Sequence, residues 1–216
     1  PCSHTLVRSG PAPSLDDVAG CVASSTTGSG AVGAGMEALG LERMPSRLED
    51  LQACAAVGQS RLMSVYQELF GEVGLSVGQV LLTHDDLAHH DRHLNARNTI
   101  MALLDREVVP VINENDAVSF TELTVGDNDR LSALVAALLP ADLLVLLTTA
   151  EGVVRNHGKP NAKLISTVRK IDDTLRNLAR GTQSRTSIGG MVSKIDAADM
   201  AVRSGIPVVI APGARR

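Results

Sequence analysis

Two short polar runs near the middle of the chain hold its densest group of reactive side chains. Residues 113–116 read Asn-Glu-Asn-Asp and directly follow the apolar segment 108–112, whereas residues 126–129 read Gly-Asp-Asn-Asp and directly precede an apolar, helix-like stretch. Carboxylates and amides are costly to bury beside core-forming segments unless they have partners. The two runs therefore predict a cleft that holds a polar ligand or a metal.

A glycine pair near the carboxyl end of the chain is the second chemical feature. Gly189 and Gly190 place flexible backbone amides where a helix is predicted to begin, and Lys194 falls within the first turns of that helix. This arrangement suits a phosphate group, although a simple loop-to-helix junction with a surface lysine has the same pattern. The Walker pattern is absent, and no GxGxxG is identified after the first strand, where a dinucleotide fold requires it. Phosphate binding here would need a different scheme.

Composition excludes several classes of protein. The chain has 216 residues, of which 44% are hydrophobic and 20% charged, so one globular domain over residues 1–216 is expected. A net charge of -4 provides no basic surface for nucleic acid, and no apolar run approaches the ~20 residues of a membrane span. The three cysteines are widely spaced, which favours neither a disulfide framework nor a thiolate zinc site. A cytoplasmic protein is expected.

Apolar runs of strand length alternate with longer amphipathic stretches, which predicts an α/β fold with a parallel sheet flanked by helices. Helices are predicted over residues 46–70, 94–106, 131–139, 171–180 and 191–204, and strands over residues 77–82, 108–112, 143–147 and 207–210. Asp129 is predicted to cap the helix 131–139. Two strands end in polar residues, Asn113 and Thr148, and ligands bind at such strand ends in open α/β sheets.

The residues of these runs resemble the glutamate 5-kinases, a family within the amino-acid kinase superfamily. The resemblance covers roughly residues 28–213 and is carried by residues 46–52, 57–60, 78–83, 94–99, 110–116, 125–134 and 188–194. It implies a three-layer sandwich with a mainly parallel central sheet. It also implies transfer of phosphate from ATP, with Mg²⁺, to the side-chain carboxylate of L-glutamate, the first step of proline biosynthesis. Family members commonly form dimers or tetramers and are inhibited by proline.

The resemblance also implies roles for individual residues. Ser29, Asp116 and Asn128 match positions that bind the amino acid, and Thr148 and Thr149 match positions at the nucleotide. The phosphates would be wrapped by Ile188, Gly189, Gly190, Met191, Val192, Ser193 and Lys194. Lys194 would act in catalysis, and Asp129 matches an aspartate that orients lysines. No side chain is expected to ligate the metal directly, and no general base is expected, because the glutamate carboxylate is already ionised. Asp127 is equally consistent with a turn-forming residue.

The first ~30 residues depart from the family pattern and are expected to be atypical or incomplete. The family has a phosphate-contacting lysine in an N-terminal loop, but this chain has no lysine before Lys159, so Arg8 is the nearest substitute. Arginine presents a planar fork rather than a point charge. No accessory domain is expected after the kinase domain.

Three alternatives stay open at this stage. The chain could be a catalytically impaired amino-acid-binding or regulatory relative of the same family. From fold analogy alone, it could be another α/β nucleotide-dependent enzyme such as a dehydrogenase. Finally, His89 and His93 have the helical spacing of a zinc site, although the polar stretch 84–93 is also typical of a solvated loop and helix entrance.

Overall fold

The computed structural model of the chain describes residues 4–8, 21–25, 28–118, 127–139, 141–156, 159–180 and 190–213. The strands in these residues are β1 (His4–Arg8), β2 (Cys21–Ser25), β3 (Ser76–Leu82), β4 (Val108–Glu114), β5 (Leu143–Thr148), β6 (Val154–Arg155), β7 (Lys163–Leu164) and β8 (Val208–Pro212). The helices are α1 (Gly28–Ala38), α2 (Leu48–Gly71), α3 (His84–Ala88), α4 (His90–Leu104), α5 (Asp127–Leu138), α6 (Asp173–Arg180) and α7 (Gly190–Arg203).

Six strands form the central sheet in the order β3-β4-β2-β1-β5-β8, and β6 pairs with β7 in a separate hairpin. All neighbours in the central sheet are parallel except β1, which is antiparallel to both β2 and β5. The other five strands therefore end at the same edge, which we call the carboxyl edge. The predicted α/β fold with a mainly parallel sheet is confirmed.

The reversed direction of β1 has a physical reason in the chain length that follows it. Only residues 9–20 separate Arg8, the last residue of β1, from Cys21, the first residue of β2. A parallel pair needs a crossover of a dozen or more residues, usually through a helix, whereas an antiparallel pair needs only a hairpin. The twelve intervening residues are at the lower limit for such a crossover and are ample for the antiparallel pairing that the structure has.

Helices cover both faces of the sheet, and strand β4 illustrates how. Val109 and Val111 pack against Met63 and Tyr66 of α2 on one face. Ile112 belongs to the larger core on the other face, with residues of α4, α5 and α7. Successive residues of a strand point to opposite faces, so a strand buried on both sides reads as an unbroken apolar run. This explains why segment 108–112 was identifiable from sequence.

Close packing of α1 against α2 requires glycine at two positions. A Cβ added to Gly35 would overlap the carbonyl of Cys54, and one added to Gly58 would overlap the carbonyl of Ala31 and lie 2.7 Å from the backbone nitrogen of Gly35. The obstacles are backbone atoms, which cannot rotate away. The two helices touch through their backbones, and this contact sets the position of the start of α1.

Two local expectations were wrong. Asp129 does not precede a helix as its cap, because α5 begins at Asp127 and includes Asp129 in its first turn. The polar stretch 84–93 is a helix entrance as expected but not a loop, because it forms α3 and the first turn of α4. The start of α3 is set by hydrogen bonds between Thr83 and Asp86 rather than by an apolar period.

Helix α3 begins with a capping box formed by Thr83 and Asp86. The Thr83 hydroxyl donates to Asp86 Oδ2 at 2.7 Å and accepts from the Asp86 backbone N–H at 3.3 Å, while the Thr83 N–H donates to Oδ2 at 2.8 Å. These two Thr83 groups, hydroxyl first, hold the pKa of Asp86 below its ordinary value against an opposing effect of burial, and the Arg92 guanidinium adds to the lowering. Asp86 therefore stabilises the fold as a carboxylate.

The helix contact predicts opposite effects of two glycine substitutions. Gly58→Ala should lower the free energy of unfolding by about 1–3 kcal/mol or more, because the new methyl group forces α1 and α2 apart. Gly33→Ala is the matched control on α1, where an added Cβ has no neighbour within 4 Å, and it should raise stability by about 0.5–1 kcal/mol. Urea denaturation measures both, and equal effects would contradict the packing described here.

The capping box predicts a pH-dependent change in stability. Because the pKa of Asp86 is lowered in the folded state, its contribution is present above the ordinary carboxyl pKa and is lost as pH falls through the lowered value. Thr83→Val removes the hydroxyl and should cost about 1 kcal/mol at neutral pH, with a smaller difference in acid. Urea denaturation at neutral and acid pH compares wild type with Thr83→Val and with Thr83→Ser, which keeps the hydroxyl. The pH-dependent loss of stability should appear in Thr83→Val and not in Thr83→Ser. A loss in Thr83→Val that is the same at both pH values would contradict the capping box.

Candidate active site

The carboxyl edge of the sheet is where the amino ends of α5 and α7 lie. Helix α7 leads to Pro207, whose carbonyl accepts a hydrogen bond at 3.0 Å from the N–H of Leu144 near the opposite, amino end of β5. Its 14 residues span about 21 Å, which is about the length of a six-residue strand such as β5. Since α7 ends at the amino edge, it begins at the carboxyl edge. Helix α5 likewise precedes β5 and begins at the carboxyl edge.

A buried ion pair joins the amino ends of these two helices. Lys194 Nζ donates to Asp129 Oδ1 at 2.8 Å, and the two side chains are only 8% and 6% exposed. Ser193 Oγ donates to the other carboxylate oxygen, Oδ2, at 2.7 Å. Both oxygens of Asp129 are thus engaged by residues more than 60 positions away in sequence. The predicted pairing of Asp129 with a lysine is present in the geometry, whereas nothing in the sequence signalled the bond to Ser193.

Because the Asp129–Lys194 pair is buried, it strictly limits where the lysine ammonium can lie. Removing either partner from a buried pair leaves an uncompensated charge, which typically costs about 3–5 kcal/mol. Hydrogen bonds to charged groups are also shorter and stronger than neutral ones. The lysine ammonium is therefore held at one place near the start of α7, where the backbone N–H groups of a helix favour an anion.

The end of β4 supplies a second group of buried polar side chains. Asn113, Glu114 and Asp116 are 1%, 5% and 4% exposed, and Asn128 of α5 is 3% exposed. Among the described residues, neither side-chain atom of Asn113 nor Oδ1 of Asn128 has a hydrogen-bond partner. Buried amides without partners are rare in folded proteins, so a bound polar ligand would satisfy them. Sequence reasoning singled out Asp116 and Asn128 but gave Asn113 no role of its own.

Thr148 ends strand β5 at the carboxyl edge, and Thr149 directly follows it. The Thr148 hydroxyl accepts a hydrogen bond from the Ala150 N–H at 3.2 Å, and its carbonyl accepts one from the Gly213 N–H at 2.9 Å. These bonds shape the turn after β5. Thr148 is buried and Thr149 is exposed, so only Thr149 presents its side chain to solvent.

The phosphate-binding segment expected over residues 188–194 lies partly within the described residues. Ile188 and Gly189 lie outside them. Gly190 begins α7 with φ +39, a conformation that a side chain disfavours. Met191 packs into a cluster with Ile195, and Val192 is partly buried against the same cluster. These apolar contacts hold the first turn of α7 against the protein, which fixes the direction in which Lys194 projects.

Arg8 and Ser29 are placed very differently. Arg8 pairs with Leu143, the first residue of β5, and so lies at the amino edge, about 17 Å along the strand from Thr148. The structure does not bring Arg8 together with Lys194. The backbone of Ser29 lies in the first turn of α1, directly after β2 reaches the carboxyl edge beside β4.

Residues 28–33, Gly-Ser-Gly-Ala-Val-Gly, have the GxGxxG spacing at the junction of β2 and α1, a match that sequence reasoning overlooked. A dinucleotide fold continues from such a helix into a neighbouring parallel strand. Here α1 leads into α2 and then β3, which pairs with β4 and not with β2. An added Cβ at Gly33 would also meet nothing within 4 Å, so no close helix–strand approach requires that glycine. The spacing therefore does not indicate a dinucleotide site.

The histidine-rich segment does not form the proposed pair of ligands. His89 precedes α4 and His93 lies in its first turn, with Nδ1 3.2 Å from the carbonyl oxygen of Leu87. Within the described part of the chain, no three His, Cys, Asp or Glu side chains form a group that could hold a metal ion. No helix in that part is long and apolar enough to span a membrane.

Glutamate 5-kinases are among the relatives of this chain. Those of Vibrio parahaemolyticus and Shewanella oneidensis are 50% and 52% identical to it over 187 residues, which is 86% of this chain and 49% and 50% of theirs. The enzyme of Erwinia tasmaniensis is 51% identical over 191 residues, or 87% of this chain and 52% of its own length. The chain therefore spans about half the length of these curated relatives.

The fold has a counterpart among solved structures. The crystal structure of smu.665 from Streptococcus mutans UA159 superimposes with a TM-score of 0.55 at 18% sequence identity, covering 84% of this chain and 78% of that one. At this identity the likeness concerns the fold alone. The sequence profile of the amino acid kinase family matches residues 22–212, which include all the described polar residues of α5, α7 and β4. The chain belongs to the amino acid kinase family.

Proposed function

We propose that this chain transfers the γ-phosphate of ATP to the side-chain carboxylate of L-glutamate, forming L-glutamyl 5-phosphate in the first step of proline biosynthesis. The observation that carries the proposal is the buried Asp129–Lys194 pair, which fixes a cation near the start of α7. The buried amides of Asn113 and Asn128, whose oxygens have no hydrogen-bond partner among the described residues, support it from the same edge of the sheet. The identity to relatives named glutamate 5-kinase supports the choice of substrate.

The proposed reaction needs positioning and charge neutralisation rather than a general base. A glutamate carboxylate oxygen attacks the γ-phosphorus, a new C–O–P linkage forms, and the bond to the oxygen bridging the β- and γ-phosphorus atoms breaks. ADP leaves with that oxygen, and no proton has to be removed from the nucleophile. The enzyme's task is to bring two anions together in line and to stabilise the charge on the transferring phosphoryl group.

The phosphate half of the site is proposed to be the start of α7. Lys194 supplies positive charge where the phosphoryl group passes, and Asp129 keeps that charge in place. The run from Ile188 to Ser193 is proposed to wrap the remaining phosphates through its backbone N–H groups. Thr148 and Thr149, at the end of β5, are proposed to lie beside the nucleotide.

The amino-acid half is proposed to lie at the end of β4 and the start of α5. Asp116 is a suitable anchor for the ammonium group of glutamate, and Asn128 is a suitable donor to a carboxylate. The amide of Asn113 and the backbone of Ser29 approach the same edge from β4 and α1. Burial of these groups strengthens their interaction with a charged ligand, because water does not compete for them.

The metal, the cellular compartment, the assembly and the inhibition that the family implies belong to the same proposal. Mg²⁺ is proposed to enter with ATP, as the metal complex of the nucleotide substrate, and the reaction is proposed to take place in the cytoplasm. Assembly into dimers or tetramers and inhibition by proline follow from the resemblance to the glutamate 5-kinases. The position of Arg8 at the amino edge gives the impaired, amino-acid-binding relative a specific observation in its favour, and the assay below separates the two.

Trapping of the acyl phosphate tests the proposed reaction directly. The 216-residue chain, incubated with ATP, Mg²⁺, L-glutamate and hydroxylamine, should form glutamyl hydroxamate, which ferric chloride detects by colour. L-aspartate in place of glutamate is the matched control and should give much less product. Calorimetry measures glutamate binding in the same preparation. Binding of glutamate without hydroxamate would overturn the kinase proposal in favour of a binding protein, and absence of both would overturn either function.

Substitution of the buried pair separates catalysis from folding. Lys194→Met should lower the free energy of unfolding by about 3–5 kcal/mol, because it leaves the Asp129 carboxylate buried without its cation. The double variant Asp129→Asn, Lys194→Met removes both charges and should recover much of that stability. Turnover should fall by about 100-fold or more in both variants, since neither supplies the ammonium group.

Glutamate affinity gives the control for the same variants. The double variant should bind glutamate within about threefold of wild type, because Lys194 is assigned to the phosphate half of the site. Lys170→Met, at an exposed lysine, should change neither turnover nor stability. Full turnover in the folded double variant would show that Lys194 is not needed for catalysis.

A further inference from the structure

The hydroxyl of Ser193 lies between two acceptors in the first turn of α7. Its oxygen is 2.7 Å from Asp129 Oδ2 and 3.0 Å from the carbonyl oxygen of Gly190. A hydroxyl has one proton and donates to one acceptor at a time. The carboxylate is the stronger acceptor because it is ionised, and it is also the closer one. Ser193 therefore donates to Asp129, and the Gly190 carbonyl is the alternative acceptor within its own helix.

The two oxygens of Asp129 are divided between two donors. Oδ1 accepts from the Lys194 ammonium at 2.8 Å, and Oδ2 accepts from the Ser193 hydroxyl. Asp129 is 5% exposed, so water cannot readily replace either donor. Without the hydroxyl, Oδ2 would be a buried charged oxygen with no donor from α7, and the ammonium would be drawn toward both oxygens at once.

We propose that Ser193 is a positioning residue that holds Lys194 in place through Asp129. By occupying Oδ2, it restricts the ammonium to Oδ1 and leaves the other N–H groups of the lysine directed toward the start of α7. This inference rests on the proposed kinase function and deepens it. The Ser193 hydroxyl acts on the carboxylate that holds the lysine and does not contact the ATP phosphates, which are proposed to meet the backbone N–H groups of this run.

Three variants test this role by kinetics. Ser193→Ala should lower kcat by about tenfold or more while KM for ATP stays within about twofold, because a displaced cation harms the transition state more than nucleotide binding. Ser193→Thr keeps the hydroxyl and should restore kcat. Ser204→Ala is the matched control, since the Ser204 hydroxyl, directly after α7, donates to the carbonyl of Met200 at 3.2 Å and not to Asp129. A raised KM for ATP with unchanged kcat would overturn the proposal in favour of a direct phosphate contact.

Lysine NMR provides a measurement that does not depend on turnover. The chain contains only four lysines, Lys159, Lys163, Lys170 and Lys194, so ¹³Cε and ¹⁵Nζ labelling gives a spectrum in which Lys194 is assigned by its loss in the Lys194→Met variant. Ser193→Ala should shift the Lys194 signals and leave the other three unchanged, whereas Ser193→Thr should leave all four near their wild-type positions. An unmoved Lys194 signal in Ser193→Ala overturns the inference.

The two measurements distinguish the possible failures. Absence of hydroxamate from the wild-type chain overturns the proposed function, and the NMR experiment still decides whether Ser193 positions Lys194. Normal turnover by Ser193→Ala, with Lys194 signals unmoved, overturns the inference and leaves the proposed function standing.

Discussion

The Asp129–Lys194 ion pair is the interaction on which the arrangement at the carboxyl edge depends. Its two charges come from different helices, lie 2.8 Å apart and are both buried. Burying either charge without the other would cost several kcal/mol, so the pair holds the amino ends of α5 and α7 in one relative position. The pair therefore acts on the fold and on the chemistry together: it locks two helices over the sheet, and it keeps an ammonium group at the end of a helix that favours anions.

The rest of the fold serves to bring those helix ends to the polar end of β4. Five strands share one direction, so the ends of β2, β4 and β5 and the starts of α1, α5 and α7 meet at one edge. On one side of the sheet, α1 and α2 approach so closely that Gly35 and Gly58 admit no side chain. On the other side, the aliphatic cluster shared by α4, α5 and α7 holds the ion pair's two helices against β5. The two faces of the sheet are therefore covered by helices, and the polar groups lie at the carboxyl edge between them.

The parts of the fold that could be predicted from sequence are those encoded by local pattern. Strand β4 is buried on both faces, and β5 is buried on one face and half-buried on the other, so each reads as a continuous aliphatic run that is visible without any knowledge of partners. What could not be predicted depends on residues far apart in the chain. Asp129 was expected to cap a helix, and nothing local shows that its carboxylate instead pairs from inside α5 with Lys194, which lies 65 residues later. The bond from Ser193 to Asp129 likewise depends on tertiary contacts, as does the burial of the Asn113 amide without a hydrogen-bond partner among the described residues. The helix α3 was missed for a different reason: its start is set by the reciprocal bonds of Thr83 and Asp86, which have no apolar period.

The direction of β1 bears on the proposed phosphoryl transfer, because it determines which edge of the sheet Arg8 reaches. A strand parallel to its neighbours delivers its last residue to the carboxyl edge, but β1 is antiparallel to both neighbours and delivers Arg8 to the amino edge. The backbone of Arg8 therefore lies about 17 Å along the strands from the end of β5. The resemblance implies a phosphate-contacting lysine in an N-terminal loop, and the placement of Arg8 gives that role no support. In the proposed reaction, Lys194 and the backbone N–H groups at the start of α7 then stabilise the charge on the transferring phosphoryl group.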